Sequence, residues 1–349
     1  MTTVQVDSLP VSVVTGFLGS GKTTLLNRLI QHPDMDRTAV VINEFGEIGI
    51  DNLLVEHVDD DVVLMSSGCL CCTIRGDLVD TLKDLFKRRA KQEIPDFDRL
   101  VIETTGLADP APILHTLMSD PFLMSRYRLD GVISTADAKL ASDTMNKHDE
   151  AVKQAAVADR IVITKVDLAD QEEISGLEVR LRRLNPAARI HHTEHGEIHP
   201  DLLFNAGLYD PKTKSLDAQR WLRAEAYAEH HQHDHDVNRH NDQVQAYCVY
   251  LEECLPWDQV ASWLEMLTTY RGDDILRIKG ILNVLESETP VVVHGVQHMF
   301  HPPVQLDSWP DDERRSRIVF ITRGLDQDIV ENMLSALTNK QGEGAIQEA

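Results

Sequence analysis

Short apolar runs alternate with amphipathic stretches from about residue 10 to residue 210. The runs at 11–15, 38–43, 62–65, 100–103, 131–135 and 160–164 have the length and β-branched content of buried strands. Between them lie helical patterns, such as 77–86, whose leucines recur at helical spacing. Strand–helix alternation of this kind predicts an α/β fold: a mainly parallel sheet with helices on both faces. Such sheets bind ligands at the carboxyl ends of their strands. The pattern changes near residue 229. A polar, low-complexity stretch follows, and it reads as a linker. Beyond it, strands are predicted at 244–250, 275–285, 289–294 and 317–322, with helices at 258–269 and 326–337. That order predicts a smaller α+β domain with an antiparallel sheet. The expected divisions are 1–225, a linker at 226–242, and 243–349.

The first strand runs into Gly16-Phe17-Leu18-Gly19-Ser20-Gly21-Lys22-Thr23-Thr24, and a helical run, Leu25-Leu26-Asn27-Arg28-Leu29-Ile30, follows. G-x-x-x-x-G-K-[ST] between a strand and a helix is the P-loop pattern. Glycines let the backbone curl round a phosphate, and the helix N-terminus points its N–H groups at the anion. Lys22 is expected to reach the β- and γ-phosphates, and the Thr23 hydroxyl to ligate Mg²⁺. The strand at 100–103 ends in Glu103, with Gly106 three residues later. P-loop proteins place a carboxylate there, near Mg²⁺, and a glycine for sensing the γ-phosphate. The strand at 160–164 ends in Thr164-Lys165-Val166-Asp167, where GTPases carry N-K-x-D. The Asp167 carboxylate can accept two hydrogen bonds from guanine, which adenine does not offer. The Lys165 stem can lie over the base.

Cys69, Cys71 and Cys72 follow the strand at 62–65. Three thiols within four residues suit Zn²⁺ or a similar soft-binding cation. They leave one position of a tetrahedral shell, and Glu47 is the candidate fourth ligand. Competing readings are a vicinal disulfide between Cys71 and Cys72, or plain buried cysteines. Cys248 and Cys254 read as structural. His230, His231, His233, His235 and His240 sit in the linker, either as a loose metal chelator or as a solvated segment. His191, His192, His195 and His199 read as ordinary loop and strand-end histidines.

The net charge of −23 argues against a nucleic-acid partner, which needs a basic surface. No apolar run approaches the length of a membrane span, and the first residues lack a signal-peptide pattern. Bunched cysteines without a disulfide framework suit a reducing compartment, so the expected location is the cytoplasm.

Taken in order, G-F-L-G-S-G-K-T-T-L-L, N-E-F-G-E, S-S-G-C-L-C-C, E-T-T-G-L-A-D-P and T-K-V-D resemble the CobW-like GTPases. That group is allied with the HypB and UreG metallochaperone GTPases. The resemblance extends over essentially the whole chain, including R-I-K-G-I-L and H-G-V-Q-H-M-F in a CobW-type C-terminal domain. It implies a P-loop NTPase fold and GTP hydrolysis to GDP with Mg²⁺. It also implies delivery of Zn²⁺ or Co²⁺ to a client metalloprotein by a monomer or homodimer. Carried over, Gly16, Gly19, Ser20, Gly21, Lys22, Thr23 and Thr24 bind phosphate, and Thr23 and Glu103 attend Mg²⁺. Thr164, Lys165 and Asp167 hold guanine. Cys69, Cys71, Cys72 and Glu47 bind the transferred metal, and Glu44 matches an acidic switch residue near Mg²⁺. Some relatives carry a glutamate just before N-E-F-G-E, where this chain has Ile42. Two other function classes fit the residues: a P-loop ATPase or kinase with a structural zinc, and a passive His/Cys metal buffer.

Overall fold

The computed structural model describes residues 8–42, 55–59, 62–65, 70–73, 77–204 and 244–344, with 55–59, 62–65, 70–73 and 336–344 described by backbone alone. The chain divides into two compact units, Met1–Arg182 with Ala188–Tyr209, and Arg183–Ala187 with Asp210–Ala349.

The first unit is a nine-stranded sheet. Its strands are β1 (Leu9–Gly16), β2 (Thr38–Ile42), β3 (Val55–Asp59), β4 (Val62–Met65), β5 (Leu70–Thr73), β6 (Arg99–Glu103), β7 (Tyr127–Asp137), β8 (Arg160–Thr164) and β9 (Arg189–Thr193). The order is β3-β4-β5-β2-β6-β1-β7-β8-β9. From β5 to β9 every neighbouring pair is parallel, while β3 and β4 join antiparallel at one edge. β1 therefore lies inside the sheet, between β6 and β7. Its continuous apolar run follows from that place, because both faces are covered. Helix α1 (Lys22–Leu29) lays Leu25, Leu26 and Leu29 on Val14, Val40, Val101, Ile133 and Val162. Helix α2 (Leu78–Ala90) starts where Asp77 accepts the Val79 N–H at 2.6 Å. It ends in Lys87, Arg88 and Arg89, which suit the negative end of a helix dipole. Helices α3 (Ala111–Ser119), α4 (Pro121–Arg126), α5 (Ala141–Lys147), α6 (Asp149–Ala156) and α7 (Gln171–Leu184) complete the flanking layers.

The second unit has an antiparallel sheet of β10 (Val244–Leu251), β11 (Ile275–Leu282), β12 (Val291–Val296), β13 (Met299–Phe300), β14 (Val304–Gln305) and β15 (Ser316–Arg323). Its order is β10-β15-β11-β12-β13, with β14 also pairing with β12. Helices α8 (Trp257–Arg271) and α9 (Gln327–Gly344) cover one face. The core there joins Tyr247, Val249, Trp263, Leu267, Ile278 and Phe320. Trp263 meets Phe320 edge-on at 6.1 Å between centroids. The strand residues one step out of phase include Arg277, Lys279, His294 and Arg317, all buried. Cys248 is buried, and desolvation pushes its thiol up to about 11, so it stays protonated as a structural side chain does.

The strand at 131–135 turns out to run from Tyr127 to Asp137, because β1 pairs with it along the whole length of β1. The strand at 275–285 stops at Leu282, where the Asn283 N–H turns to the Ser316 hydroxyl at 2.7 Å. β3, β5, β9 and the two-residue strands β13 and β14 fall outside the predicted strands. β9 reads Arg-Ile-His-His-Thr, and its polarity fits a strand at the edge of the sheet. Among the described residues, no helix is long and apolar enough to cross a membrane.

Candidate functional site

Four parallel strands, β6, β1, β7 and β8, end side by side, and their carboxyl ends carry the site. Gly16 closes β1 at φ 139°, with Gly19 and Gly21 at 73° and 91°. A side chain at Gly16 would stand 2.6 Å from the Thr135 carbonyl and 2.8 Å from the Ser20 hydroxyl. Only glycine fits this corner. Ser20 and Thr135 share a hydroxyl–hydroxyl hydrogen bond of 2.6 Å beneath the loop. Gly21 is the N-cap of α1, and no side chain caps that helix end. First-turn amides are then available to an anion.

Buried Lys22 folds back across the loop. Its Nζ donates to the Gly16 carbonyl at 2.9 Å and to the Phe17 carbonyl at 3.2 Å. The ammonium is thus held in the concavity that the loop makes. Thr23 donates its hydroxyl to Glu103 Oε1 at 2.9 Å, joining the first turn of α1 to the end of β6. A hydroxyl and a carboxylate are hard oxygen donors, and the pair fits Mg²⁺. Gly106 approaches the loop from β6: a Cβ there would stand 2.7 Å from the Leu18 nitrogen. Gln154 of α6 fixes that approach by donating to the carbonyls of Gly106 at 3.3 Å and Ala108 at 3.0 Å.

The T-K-x-D segment leaves β8 and packs against the same loop. Thr164 donates its hydroxyl to the Ser20 carbonyl at 2.7 Å. Lys165 sits at φ 56°, a conformation rare for side chains larger than glycine. Its Nζ donates to the Gly19 carbonyl at 2.7 Å and pairs with Asp137 Oδ2 at 2.7 Å. Asp167 follows in a short 3-10 turn, Val166–Leu168, and is exposed. An exposed acceptor two residues beyond the loop-bound lysine is placed to meet the edge of a base. Sequence reasoning missed Thr135, Asp137 and Gln154. Asp137 left a signal: the small and apolar run after Gly131 continues through Ala136 to a carboxylate at the strand end.

Exchange of Thr164 for valine should cost about 1–3 kcal/mol, because the buried Ser20 carbonyl loses its donor while the side-chain volume stays. Urea unfolding of the metal-free protein measures this. An unchanged midpoint would show that the bond adds nothing, and Thr164→Ser should keep the midpoint near that of the parent.

The metal motif is reached only in part. Cys69, Glu44 and Glu47 lie outside the described residues, as does the histidine-rich stretch at 229–242. Cys71 and Cys72 lie within β5, the strand that follows β4. β5 pairs parallel with β2, and β2 with β6. The registers place Thr73, Ile42 and Glu103 in one row across three strands. Cys72 is one residue from that row, and the Mg²⁺-type carboxylate is in it. At about 4.8 Å per strand, the two chain positions are separated by roughly 10 Å.

The comparisons agree with this geometry. Residues 10–192 match the family described as CobW/HypB/UreG, nucleotide-binding domain, and residues 244–338 match the cobalamin synthesis protein cobW C-terminal domain. The zinc chaperone YjiA of Escherichia coli is 34% identical over 313 residues, covering 90% of this chain and 93% of its own. The zinc chaperone CobW of Pseudomonas aeruginosa is 30% identical over 359 residues, covering 93% and 90%. A crystal structure of Zn(II)-bound YjiA GTPase from E. coli superposes with a TM-score of 0.72 at 32% identity, covering 95% of this chain and 99% of that one. With P-loop, strand-end carboxylate and T-K-x-D assembled on one sheet edge, the chain belongs to the CobW/HypB/UreG nucleotide-binding family and carries its cobW-type C-terminal domain.

Proposed function

We propose that this protein is a GTP-hydrolysing metallochaperone. In this reading Cys69, Cys71, Cys72 and Glu47 hold Zn²⁺ or Co²⁺, and GTP hydrolysis gates its release to a client metalloprotein. The relatives named zinc chaperones support the class. The observation that carries the coupling is the row Thr73–Ile42–Glu103. Chain leaving β2 at Ile42 enters Asn43-Glu44-Phe45-Gly46-Glu47 from between the thiol strand and the nucleotide strand. Two carboxylates three residues apart can therefore serve both neighbours: Glu44 the phosphate side, Glu47 the thiolates.

The chain's own groups define the nucleotide half. The glycine corner and the α1 amides bind the phosphates. Lys22 faces the β- and γ-oxygens and stabilises charge that builds there. Thr23 and Glu103 would hold Mg²⁺, which neutralises phosphate charge when bound. Asp167 accepts from guanine N1 and N2, and Lys165 covers the base from its anchor on Gly19. Glu44 would be drawn in by Mg²⁺ beside the γ-phosphate, and loss of the γ-phosphate would release it. The shift moves Glu47 and changes the shell of the cargo ion.

Coupling of this kind is reciprocal. Zn²⁺ affinity should differ with and without a non-hydrolysable GTP analogue, and analogue affinity should change by the same factor with and without Zn²⁺. Equal Zn²⁺ affinities in both titrations would remove the gating step. In the same assay the variant with Cys69, Cys71 and Cys72 changed to serine should lose the Zn²⁺ equivalent whose affinity responds to nucleotide, and keep nucleotide binding. Retention of that nucleotide-responsive equivalent would place the cargo elsewhere.

A further inference from the structure

One tripeptide occurs twice in this chain, as His32-Pro33-Asp34 and His199-Pro200-Asp201. Each opens a 3-10 turn, Pro33–Met35 and Pro200–Leu202, with the histidine as N-cap and proline behind it. In both turns the Nδ1 of the imidazole accepts a backbone N–H two residues on, from Asp34 at 3.2 Å and from Asp201 at 3.3 Å. The fold brings the two turns together. The rings of His32 and His199 meet edge to face, with centroids 4.8 Å apart. Ile198, Leu203 and Phe204 from one side, and Leu29, Ile30 and Met35 from the other, share one apolar cluster that fixes the pair.

We propose that His32, Asp34 and His199 form a second site for a divalent transition ion, separate from the cysteine motif. One donor atom from each residue lies within 4.8 Å of the others. Asp34 Oδ2 stands 3.7 Å from His32 Nδ1 and 3.6 Å from His199 Nε2, and an ion at His32 Nδ1 takes the lone pair that otherwise accepts the Asp34 N–H. Ligand atoms on a tetrahedral Zn²⁺ with bonds near 2.1 Å are about 3.4 Å apart, so these two edges need little contraction. Ligation at His199 Nε2 puts the ring proton on Nδ1, which gives up the long bond it accepts from the Asp201 N–H. The Nδ1–H then turns to Asp201 Oδ2, 3.6 Å away before any ion binds. This is the carboxylate behind a histidine that metal sites use to orient the ring. Two imidazoles and one carboxylate select Zn²⁺, Co²⁺, Ni²⁺ or Cu²⁺ over Mg²⁺ and Ca²⁺. His32 also follows the C-terminus of α1, whose partial negative charge favours a cation. His199 and Asp34 are half-exposed, so an ion here can exchange with solvent and open positions remain for a further ligand.

The alternative is that both histidines serve only as caps. Asparagine separates the two roles, because it caps a turn as well as histidine does and is a poor ligand for such ions. Full-length protein stripped of metal is titrated with ZnCl₂ by equilibrium dialysis. His32→Asn and His199→Asn should each bind one equivalent fewer than the parent, and the double variant should lose that same single equivalent. Asp201→Asn should keep the equivalent with about 10–100-fold weaker affinity. Unchanged stoichiometry and affinity in both asparagine variants would overturn the site. The cysteines and the linker histidines are identical in all these proteins, so the difference isolates this cluster. Crystals of the unaltered protein soaked in ZnCl₂ give a check that needs no variant. Anomalous density between His32, Asp34 and His199 is expected, and its absence would count against the proposal.

Discussion

Changing Lys22 to alanine should lower GTP turnover by roughly 10²–10³-fold, the cost of removing one preorganised charge-stabilising donor. The ammonium is buried inside the loop and held by two carbonyls, those of Gly16 and Phe17, at 2.9 and 3.2 Å. No other cation among the described residues donates to either carbonyl. Arginine is a weak substitute, because a planar fork does not fit where a compact ammonium is clasped by backbone. Single-turnover hydrolysis with the nucleotide saturating separates this loss from a loss of binding. The variant should still bind GDP. Turnover within a few-fold of the parent would mean that Lys22 only supports the loop.

The second large effect concerns the base. Asp167→Asn should weaken GTP binding by about 10²–10⁴-fold, since two hydrogen bonds to a charged acceptor are worth about 1.5–3 kcal/mol each. Asparagine offers one acceptor and one donor in place of two acceptors. It therefore complements xanthine, which has a carbonyl where guanine has its exocyclic amine. The same variant should gain affinity for xanthosine triphosphate as it loses GTP. Competition between labelled GDP and unlabelled nucleotides measures both changes. An unaltered preference would move base recognition away from T-K-x-D, and an ATP preference in the parent would favour an ATPase. Asp167 is exposed, so folding stability should change little.

Much of the nucleotide site was legible because P-loop chemistry is local. Glycine, lysine and threonine act through backbone shape and first-turn amides, and all of these lie within one segment. Glu103 was legible because the apolar strand before it ends there. Contacts between distant segments were not. Thr164 reads from the sequence as one of the residues that hold guanine, and nothing local shows that its hydroxyl donates to the Ser20 carbonyl, a partner 144 residues away. A side chain near a base-recognition loop has several acceptors in reach, and only the packing of β8 beside β7 selects one. β5 escaped for another reason. Leu-Cys-Cys-Thr has no alternation to mark it, and it becomes a strand through its neighbours β2 and β4. His199 had nothing local to distinguish it from the histidines around it. Its meeting with His32 depends on the loop after β9 folding back over the end of α1.

The position of β1 inside the sheet has a consequence for how the chain acquires its grip. Val11 pairs with Leu100 on one side, and Ser12 with Gly131 on the other. On the ribosome, β1 is made before β6 and β7 and must wait for them before it has either neighbour. Parallel pairing across such separations is slow, because loop closure precedes any reward. An apolar strand without partners is also prone to aggregate. The phosphate cradle, which needs Thr135 beneath Ser20, is assembled only when β7 arrives. Nucleotide then binds the finished sheet and not its precursors, and holds it closed by mass action. Cellular GTP would thus act on this protein first as a folding ligand.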